Sequence, residues 1–186
     1  MLQTFLPPSK SLIAVWIGIN DVGDSSNYAV DFPTFYGNLT RTLFSSVNEL
    51  YNLGYRSYLF MNLPPLDRTP GNQKTTTPHP NATQVAWYND ALAAKAEQFG
   101  KDKRDVEVRV FDAHARLSAM LDNPAHYGIV NTTDFCAGYD QPDIDTNYKA
   151  YGCPTPLDTY FWFNSGHMTS HVHRILAEEL EDWLKE

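Results

Sequence analysis

Three short apolar runs, each followed by a segment of helical periodicity, constrain the fold of this 186-residue chain more than any other feature. Residues 12–18 and 58–63 are continuous apolar runs, the pattern of strands buried on both faces, and residues 106–111 alternate like a third strand. Helices are predicted over residues 34–53, 83–100 and 169–184, with a shorter helix after residue 112. Strands that alternate with helices form right-handed βαβ units. The sequence therefore predicts an α/β fold with a parallel sheet, as one domain over residues 1–186.

Composition limits the partners and the compartment. The formal net charge of −8 argues against nucleic acid and an anionic membrane surface as partners. No apolar stretch approaches the roughly 20 residues that span a bilayer, and the N-terminus lacks a signal-peptide pattern. Sequons at Asn38, Asn81 and Asn131 nevertheless favour a secreted glycoprotein. Cys136 and Cys153 bracket a loop rich in Pro, Gly, Asp and Tyr, which predicts a disulfide, with two free thiols as the alternative.

The first candidate site follows the first strand. The string Gly18-Ile19-Asn20-Asp21 begins where that apolar run stops, and Asn62, with Pro64 and Pro65, lies at the end of the second run. In parallel sheets the ligand crevice lies beyond the carboxyl ends of the strands. The Asn20 amide can donate a hydrogen bond to a developing oxyanion, and Gly18 allows a tight backbone turn. A simple turn is the alternative, since Gly, Asn and Asp are common turn residues.

The second candidate site precedes the C-terminal helix. The string Asn164-Ser165-Gly166-His167 follows an aromatic run, and the His167 imidazole is a candidate general base. His114, His171 and His173 are the competing histidines. His171 lies one helical turn after His167, but no third ligand is evident, so we expect no metal and no cofactor.

These motifs resemble those of the GDSL-type, or SGNH, hydrolases. The strings at residues 14–23 and 164–170 resemble the fungal secreted branch grouped as carbohydrate esterase family sixteen. The resemblance implies a three-layer α/β/α, flavodoxin-like fold. It also implies a carboxylic ester hydrolase of the acetylesterase type, acting on small esters or acetylated saccharides. Under the same resemblance Asn20 donates to the oxyanion hole, His167 is the base, and Gly18, Asp21 and Trp162 contact the substrate.

Two departures from the family pattern affect these expectations. The family's Gly-Asp-Ser nucleophile motif precedes the strand of residues 12–18, whereas Gly23-Asp24-Ser25 follows it. We therefore expect an N-terminally incomplete member, the C-terminal two-thirds of one, that is inactive or weak alone and self-associates through an exposed sheet edge. Asn164 stands where the family commonly has Asp, so the residue carries no charge to stabilise an imidazolium; Asp158 is an alternative orienting residue.

Two other functions remain open at this stage. The first is a non-catalytic secreted carbohydrate-binding protein, with a crevice lined by Trp16, Tyr88, Tyr160 and Trp162. The second is a metal-dependent deacetylase that uses the histidines.

Overall fold

The structure is a computed structural model that describes residues 7–186. Contacts between residues divide it into two compact units. The first unit comprises the described residues up to Leu63 and Thr83–Asp112, and the second comprises Pro64–Ala82 and Ala113–Glu186. The single domain over residues 1–186 stays a prediction.

The first unit is built on three parallel strands. These are β1 Leu12–Val15, β2 Ser57–Met61 and β3 Glu107–Phe111, in the order β1-β2-β3. Leu12 pairs with Ser57, and Ser57 pairs with Glu107, so the three strands start in register. The predicted α/β fold with a parallel sheet is confirmed.

Seven α-helices lie among residues 7–186, and the four longest correspond to the predicted ones. Short 3₁₀ turns lie at Pro8–Lys10, Leu66–Arg68, Pro124–Tyr127, Tyr148–Tyr151 and Leu157–Thr159. No helix in this part of the chain is long and apolar enough to cross a membrane. The helices are α1 Ile19–Ser25, α2 Phe32–Asn52, α3 Pro70–Gln73, α4 Ala82–Asp102, α5 Ala113–Asp122, α6 Ile144–Asn147 and α7 Ser170–Lys185.

Helices α2 and α4 pack together on one face of the sheet. The Phe44 ring of α2 lies 4.8 Å from the Phe60 ring of β2, and the Phe99 ring of α4 lies 5.2 Å from the Tyr58 ring. Phe44 and Phe99 also contact each other, with ring centroids 5.8 Å apart. Side chains on both faces of β2 are buried, which confirms the prediction for this strand.

Strand β1 differs from its prediction as a strand buried on both faces. Its side chains alternate between exposed and half-buried, and the Leu12 side chain is 48% exposed. The strand also ends at Val15, so Ile17 is outside it and 54% exposed. The physical reason is that β1 is an edge strand among the described residues, so it has a neighbouring strand on one side only.

The second unit contains a cluster held by a disulfide. Cys136 and Cys153 are bonded, as predicted, and pack with Ile144 and Tyr160. The Thr169 hydroxyl donates to the Tyr160 carbonyl at 2.8 Å and accepts from the Val172 amide at 3.4 Å, at the start of α7. This capping contact joins the last helix to the disulfide cluster.

We propose that the outer edge of β1 mediates self-association, because an apolar strand with unpaired backbone groups is a template for pairing. We expect light scattering to give a mass above the 21.1 kDa of one chain. Leu12→Lys places a charge on the edge and should return the protein to the monomer. Leu53→Lys, at an exposed position after α2, should not. A monodisperse wild-type monomer would contradict the proposal.

The disulfide should contribute strongly to stability, because Cys136 and Cys153 are separated by 17 positions in sequence. A loop of that length predicts a loss of about 3 kcal/mol in the free energy of unfolding when both cysteines are replaced by serine. Urea denaturation of the double variant and the oxidised wild type measures the difference. A loss below about 1 kcal/mol would mean that the surrounding packing, rather than the cross-link, holds this cluster.

Candidate functional site

The predicted site residues fall in both units. Gly18, Asn20 and Asp21 belong to the first unit, whereas Asn164 and His167 belong to the second. We refer to residues 18–21 as the Asn20 segment and to residues 163–168 as the His167 loop.

The Asn20 segment forms the start of a helix rather than an isolated turn. Gly18 is the residue before α1, with a left-handed φ of 112°, and its carbonyl accepts from the Val22 amide at 2.9 Å. Asn20 and Asp21 lie in the first turn of α1 and are exposed. Within residues 7–186 the side-chain amide of Asn20 has no hydrogen-bond partner, so its two N–H groups are available to an acceptor.

Tyr88 explains why a glycine precedes this helix. The Tyr88 hydroxyl donates to the Ile17 carbonyl at 2.9 Å, directly after β1. A Cβ atom at Gly18 would lie 2.3 Å from the Tyr88 ring, closer than any side chain tolerates, in addition to the strain of its positive φ. Tyr88 is 1% exposed, so it contacts the Asn20 segment from the interior of the first unit and does not line a crevice.

Polar contacts connect the carboxyl ends of the three strands. The Asn62 amide donates to the Asp112 carboxylate at 2.7 Å, and the Trp16 indole donates to the Asn62 carbonyl at 3.0 Å. The Leu63 amide donates to the Asn89 side chain at 2.9 Å. Sequence analysis identified Asn62 but missed Asp112 and Asn89; for Asp112 the available signal was its position directly after β3.

Ser25, the last residue of the Gly23-Asp24-Ser25 string, has a structural role. It lies in α1 and is 8% exposed. Its hydroxyl donates to the Val22 carbonyl at 3.4 Å and lies 3.3 Å from the Tyr36 hydroxyl. Burial raises the pKa of Tyr36, so the phenol keeps its proton at neutral pH and cannot accept one from the serine.

The His167 loop is a tight turn closed by backbone contacts. Trp162 and Met168 form an antiparallel bridge, and the Phe163 amide donates to the His167 carbonyl at 2.7 Å. The Gly71 amide donates to the Ser165 carbonyl at 2.9 Å and so holds the tip of the loop. A Cβ atom at Gly71 would lie 3.1 Å from that carbonyl oxygen, which explains the small residue there.

Asn164 orients the His167 imidazole. Its Oδ1 atom accepts from the backbone amides of Gly166 at 3.1 Å and His167 at 2.9 Å, and it lies 2.9 Å from His167 Nδ1. Two N–H donors identify this side-chain atom as the oxygen, because the amide nitrogen cannot accept from them. His167 must then donate from Nδ1, which leaves a lone pair on Nε2. Asp158, the alternative orienting residue, makes no such contact with His167 in the described second unit.

Two competing histidines have other surroundings. The His171 ring lies between the Tyr127 carbonyl at 2.9 Å from Nε2 and the Arg174 guanidinium at 2.8 Å from Nδ1. Because Arg174 can only donate, His171 Nδ1 accepts and Nε2 donates, so both ring nitrogens are occupied. Burial lowers the pKa of His173, and His167, when its ring is protonated, lowers it further. No group of three candidate metal ligands occurs among residues 7–186.

Trp162, which the resemblance assigned to substrate contact, lies in the core of the second unit. Its side chain is 1% exposed, and its indole N–H donates to the Thr132 carbonyl at 2.8 Å. Tyr160 is similarly buried. These side chains offer no accessible face to a substrate.

Tyr88→Phe should reveal the support beneath the Asn20 segment through the pH dependence of stability. Burial, reinforced by the negative charge of Asp21, raises the Tyr88 pKa from 10.0 to about 12. The unfolded phenol ionises near pH 10 while the folded one stays neutral, so wild-type stability must fall as the pH rises from 10 to 12. In the variant, the decrease in the free energy of unfolding over this pH range should be smaller by roughly 2–3 kcal/mol. At pH 7 the variant should lose only about 1 kcal/mol, for the missing hydrogen bond. Urea titrations at pH 7, 10 and 12 measure this, and parallel pH profiles would contradict it.

Curated proteins similar to this chain are esterases by name. An "Acetylesterase" of Thermothelomyces thermophilus is 27% identical over 176 residues, which are 93% of this chain and 52% of that protein. A GDSL esterase/lipase of Arabidopsis thaliana is 24% identical over 198 residues, covering 95% of this chain and 55% of its own. The Arabidopsis protein GDSL esterase/lipase 3 is 24% identical over 195 residues, which cover 91% of this chain and 52% of that protein. The chain thus spans about half the length of these relatives.

The match to a family covers almost the whole chain. Residues 4–180 match the family described as GDSL-like lipase/acylhydrolase. That range includes both the Asn20 segment and the His167 loop, which were the two motifs of the predicted resemblance. The chain belongs to the GDSL-like lipase/acylhydrolase family.

Proposed function

We propose that this chain carries the general base and an oxyanion donor of a carboxylic ester hydrolase of the acetylesterase type. The observation that supports this most is the Asn164–His167 contact, because it leaves the His167 Nε2 lone pair free to accept a proton. The exposed Asn20 amide is the proposed donor to the oxyanion, with Gly18 and Asp21 beside it at the substrate. The names of the curated relatives support the same class of reaction.

In the proposed reaction a hydroxyl oxygen attacks the acyl carbon while its proton moves to His167 Nε2. The carbonyl π electrons move to the oxygen, and the Asn20 amide stabilises the oxyanion that results. When the intermediate collapses, the bond to the alcohol breaks and the alcohol leaves with the proton from Nε2. Water then attacks the acyl carbon and gives its proton to Nε2. The bond from the acyl carbon to the first hydroxyl oxygen breaks, that oxygen takes the proton from Nε2, and the acid is released.

The neutral side chain of Asn164 sets the strength of this base. In serine proteases, replacing the buried Asp by Asn costs about 10⁴ in turnover, because the histidine then adopts the wrong tautomer. Here the amide oxygen faces Nδ1, so the productive tautomer is kept. What is lost is only the negative charge that would stabilise the imidazolium, and the cost should be correspondingly smaller.

The described residues supply no convincing nucleophile. Ser25 is buried and bonded to groups that cannot activate it. In the described second unit no serine hydroxyl is hydrogen-bonded to the His167 ring. We therefore propose that this chain alone hydrolyses esters weakly or not at all, and that its substrate class is small esters or acetylated saccharides. The disulfide and the sequon at the exposed Asn81 support a secreted location.

Turnover of p-nitrophenyl acetate by the purified chain tests these roles. We expect slow hydrolysis at most, and any rate above the blank should fall at least about tenfold in His167→Ala, because general base catalysis contributes factors of that order or more. Ser25→Ala should leave the rate unchanged. Hydrolysis that survives His167→Ala would contradict the base role, and loss with Ser25→Ala would show that Ser25 is the nucleophile.

The His167 tautomer can be tested without turnover. Long-range ¹H–¹⁵N spectra of the imidazoles at neutral pH should show a proton on Nδ1 and none on Nε2. Asn164→Ala should mix the two tautomers, whereas Asn147→Ala, a control at another hydrogen-bonded asparagine of the second unit, should not. A wild-type ring protonated on Nε2 would contradict the proposal.

A further inference from the structure

The connection between β2 and α4 is long for an α/β fold. Residues Pro64–Ala82 belong to the second unit, and they include the 3₁₀ turn Leu66–Arg68 and helix α3. A connection of this length inside a compact fold usually has a role of its own. We refer to residues 66–80 as the Asn72 segment, because the hydrogen bonds of Asn72 hold it together.

Asn72 joins the two ends of this segment. Its side-chain nitrogen donates to the carbonyls of Leu66 at 2.7 Å and Pro80 at 3.3 Å, and its side-chain oxygen accepts from the His79 amide at 3.2 Å. The Asn72 backbone amide donates to Thr69 Oγ1 at 3.4 Å, at the start of α3. A carbonyl can only accept and a backbone N–H can only donate, so these partners fix the orientation of the side-chain amide.

Gly71, which directly precedes Asn72, connects this segment to the His167 loop. The Gly71 amide donates to the Ser165 carbonyl at 2.9 Å. The Ser165 carbonyl and the Gly166 amide belong to one planar peptide group, so this hydrogen bond restrains both of them. The Gly166 amide in turn donates to Asn164 Oδ1 at 3.1 Å. The Asn72 segment therefore restrains the peptide group that orients the Asn164 oxygen.

A second link from the Asn72 segment is weaker. The Lys74 ammonium lies 3.1 Å from Asp134 Oδ1, but the two side chains are 60% and 51% exposed. Ion pairs between exposed side chains contribute little to stability, because water screens them. The closer constraint on the His167 loop is at Gly71, where an added Cβ atom would lie 3.1 Å from the Ser165 oxygen.

We propose that Asn72 is a positioning residue for the His167 imidazole. Asn72 fixes the Asn72 segment, and the segment holds the Gly71 amide against the Ser165 carbonyl. The peptide group that follows Ser165 then keeps Asn164 Oδ1 at 2.9 Å from His167 Nδ1. The tautomer of His167 thus depends on a residue in a different part of the second unit.

Asn72 acts through the backbone rather than by direct contact. Among the described residues its hydrogen bonds lie within the Asn72 segment, and none reaches the His167 ring. This inference rests on the proposed function, because His167 is the residue proposed there as the general base. Its test uses the state of the ring and therefore does not require ester turnover.

Asn72→Asp tests the proposal with little change of shape. The variant places carboxylate oxygens against the Leu66 and Pro80 carbonyls and loses both donated hydrogen bonds. We expect the exchange rate of the Gly71 amide proton to rise by about tenfold or more, because its hydrogen bond then opens more often. Long-range ¹H–¹⁵N spectra of the whole chain at neutral pH should show His167 as a mixture of tautomers. In the wild type they should show a proton on Nδ1 alone.

Three further variants locate the effect. Asn72→Ala removes the same hydrogen bonds without adding a charge, and it should also mix the His167 tautomers. Gly71→Ala keeps the Asn72 side chain but presses a Cβ atom against the Ser165 oxygen, and it should do the same. Gln73→Glu is the matched control. It makes the same amide-to-carboxylate change at the next position, where the exposed side chain donates to the Asp67 carbonyl at 3.2 Å, and it should behave like the wild type.

Two signals from the same unit distinguish positioning from a general loss of structure. The His171 ring contacts Tyr127 and Arg174, so its tautomer should be the same in Asn72→Asp as in the wild type. The Phe161 amide donates to a backbone carbonyl at 2.8 Å, and its exchange rate should also stay unchanged. A purely structural role for Asn72 would change these signals together with that of His167.

The outcomes separate this inference from the proposed function. A wild-type His167 protonated on Nε2 would contradict both. A wild-type ring protonated on Nδ1 that neither Asn72 variant alters would overturn this inference alone, and so would equal changes at His171 and His167. Mixed His167 tautomers in the Asn72 variants, with His171 and the Gln73→Glu control unchanged, would support it.

Discussion

The pairing of β2 with a strand on each side is the constraint on which the first unit depends. Its side chains are buried on both faces, so its register fixes where β1 and β3 begin and end. The carboxyl ends of the three strands consequently meet, and Trp16, Asn62 and Asp112 connect there through hydrogen bonds. A one-residue shift of β2 would turn every buried side chain to the opposite face and separate these polar groups. The position of the Asn20 segment follows from the same register, because only three residues lie between the end of β1 and the start of α1.

Many elements of this unit could be predicted because buried side chains recur at a fixed spacing along a helix or a strand. The apolar run before Gly18 and the helical spacing of Phe44 and Val47 depend only on neighbouring residues, and those elements were predicted within a few positions. The exposure of Leu12 could not be predicted in the same way. A strand's burial depends on what pairs with its outer edge, and that is a property of distant chain segments rather than of the run itself. Tyr88 was misjudged for the same reason, since its partner Ile17 is 71 positions away.

Asn164 shows a second limit, which concerns chemistry rather than packing. Reading the residue by charge alone predicts a weakened triad, because an amide lacks the negative charge of a carboxylate. The position of its oxygen matters as well. With two backbone N–H groups already directed at Oδ1, the orientation of the amide is decided, and with it the tautomer of His167. A carboxylate has two equivalent oxygens and needs no such help, whereas an amide can orient a histidine only where neighbouring donors prevent it from flipping.

The two candidate groups are each stabilised by contacts inside their own unit. Tyr88 and the positive φ of Gly18 hold the Asn20 segment, while Gly71 and the backbone of Phe163 hold the His167 loop. Neither set of contacts involves a nucleophile or a substrate. The geometry of the proposed base and of the proposed oxyanion donor can therefore persist in a chain whose described residues offer no activated serine. For the same reason, the short string Gly23-Asp24-Ser25 is weak evidence by itself, since a serine is a nucleophile only where a base can reach its hydroxyl, and burial inside α1 places Ser25 beside Tyr36 instead.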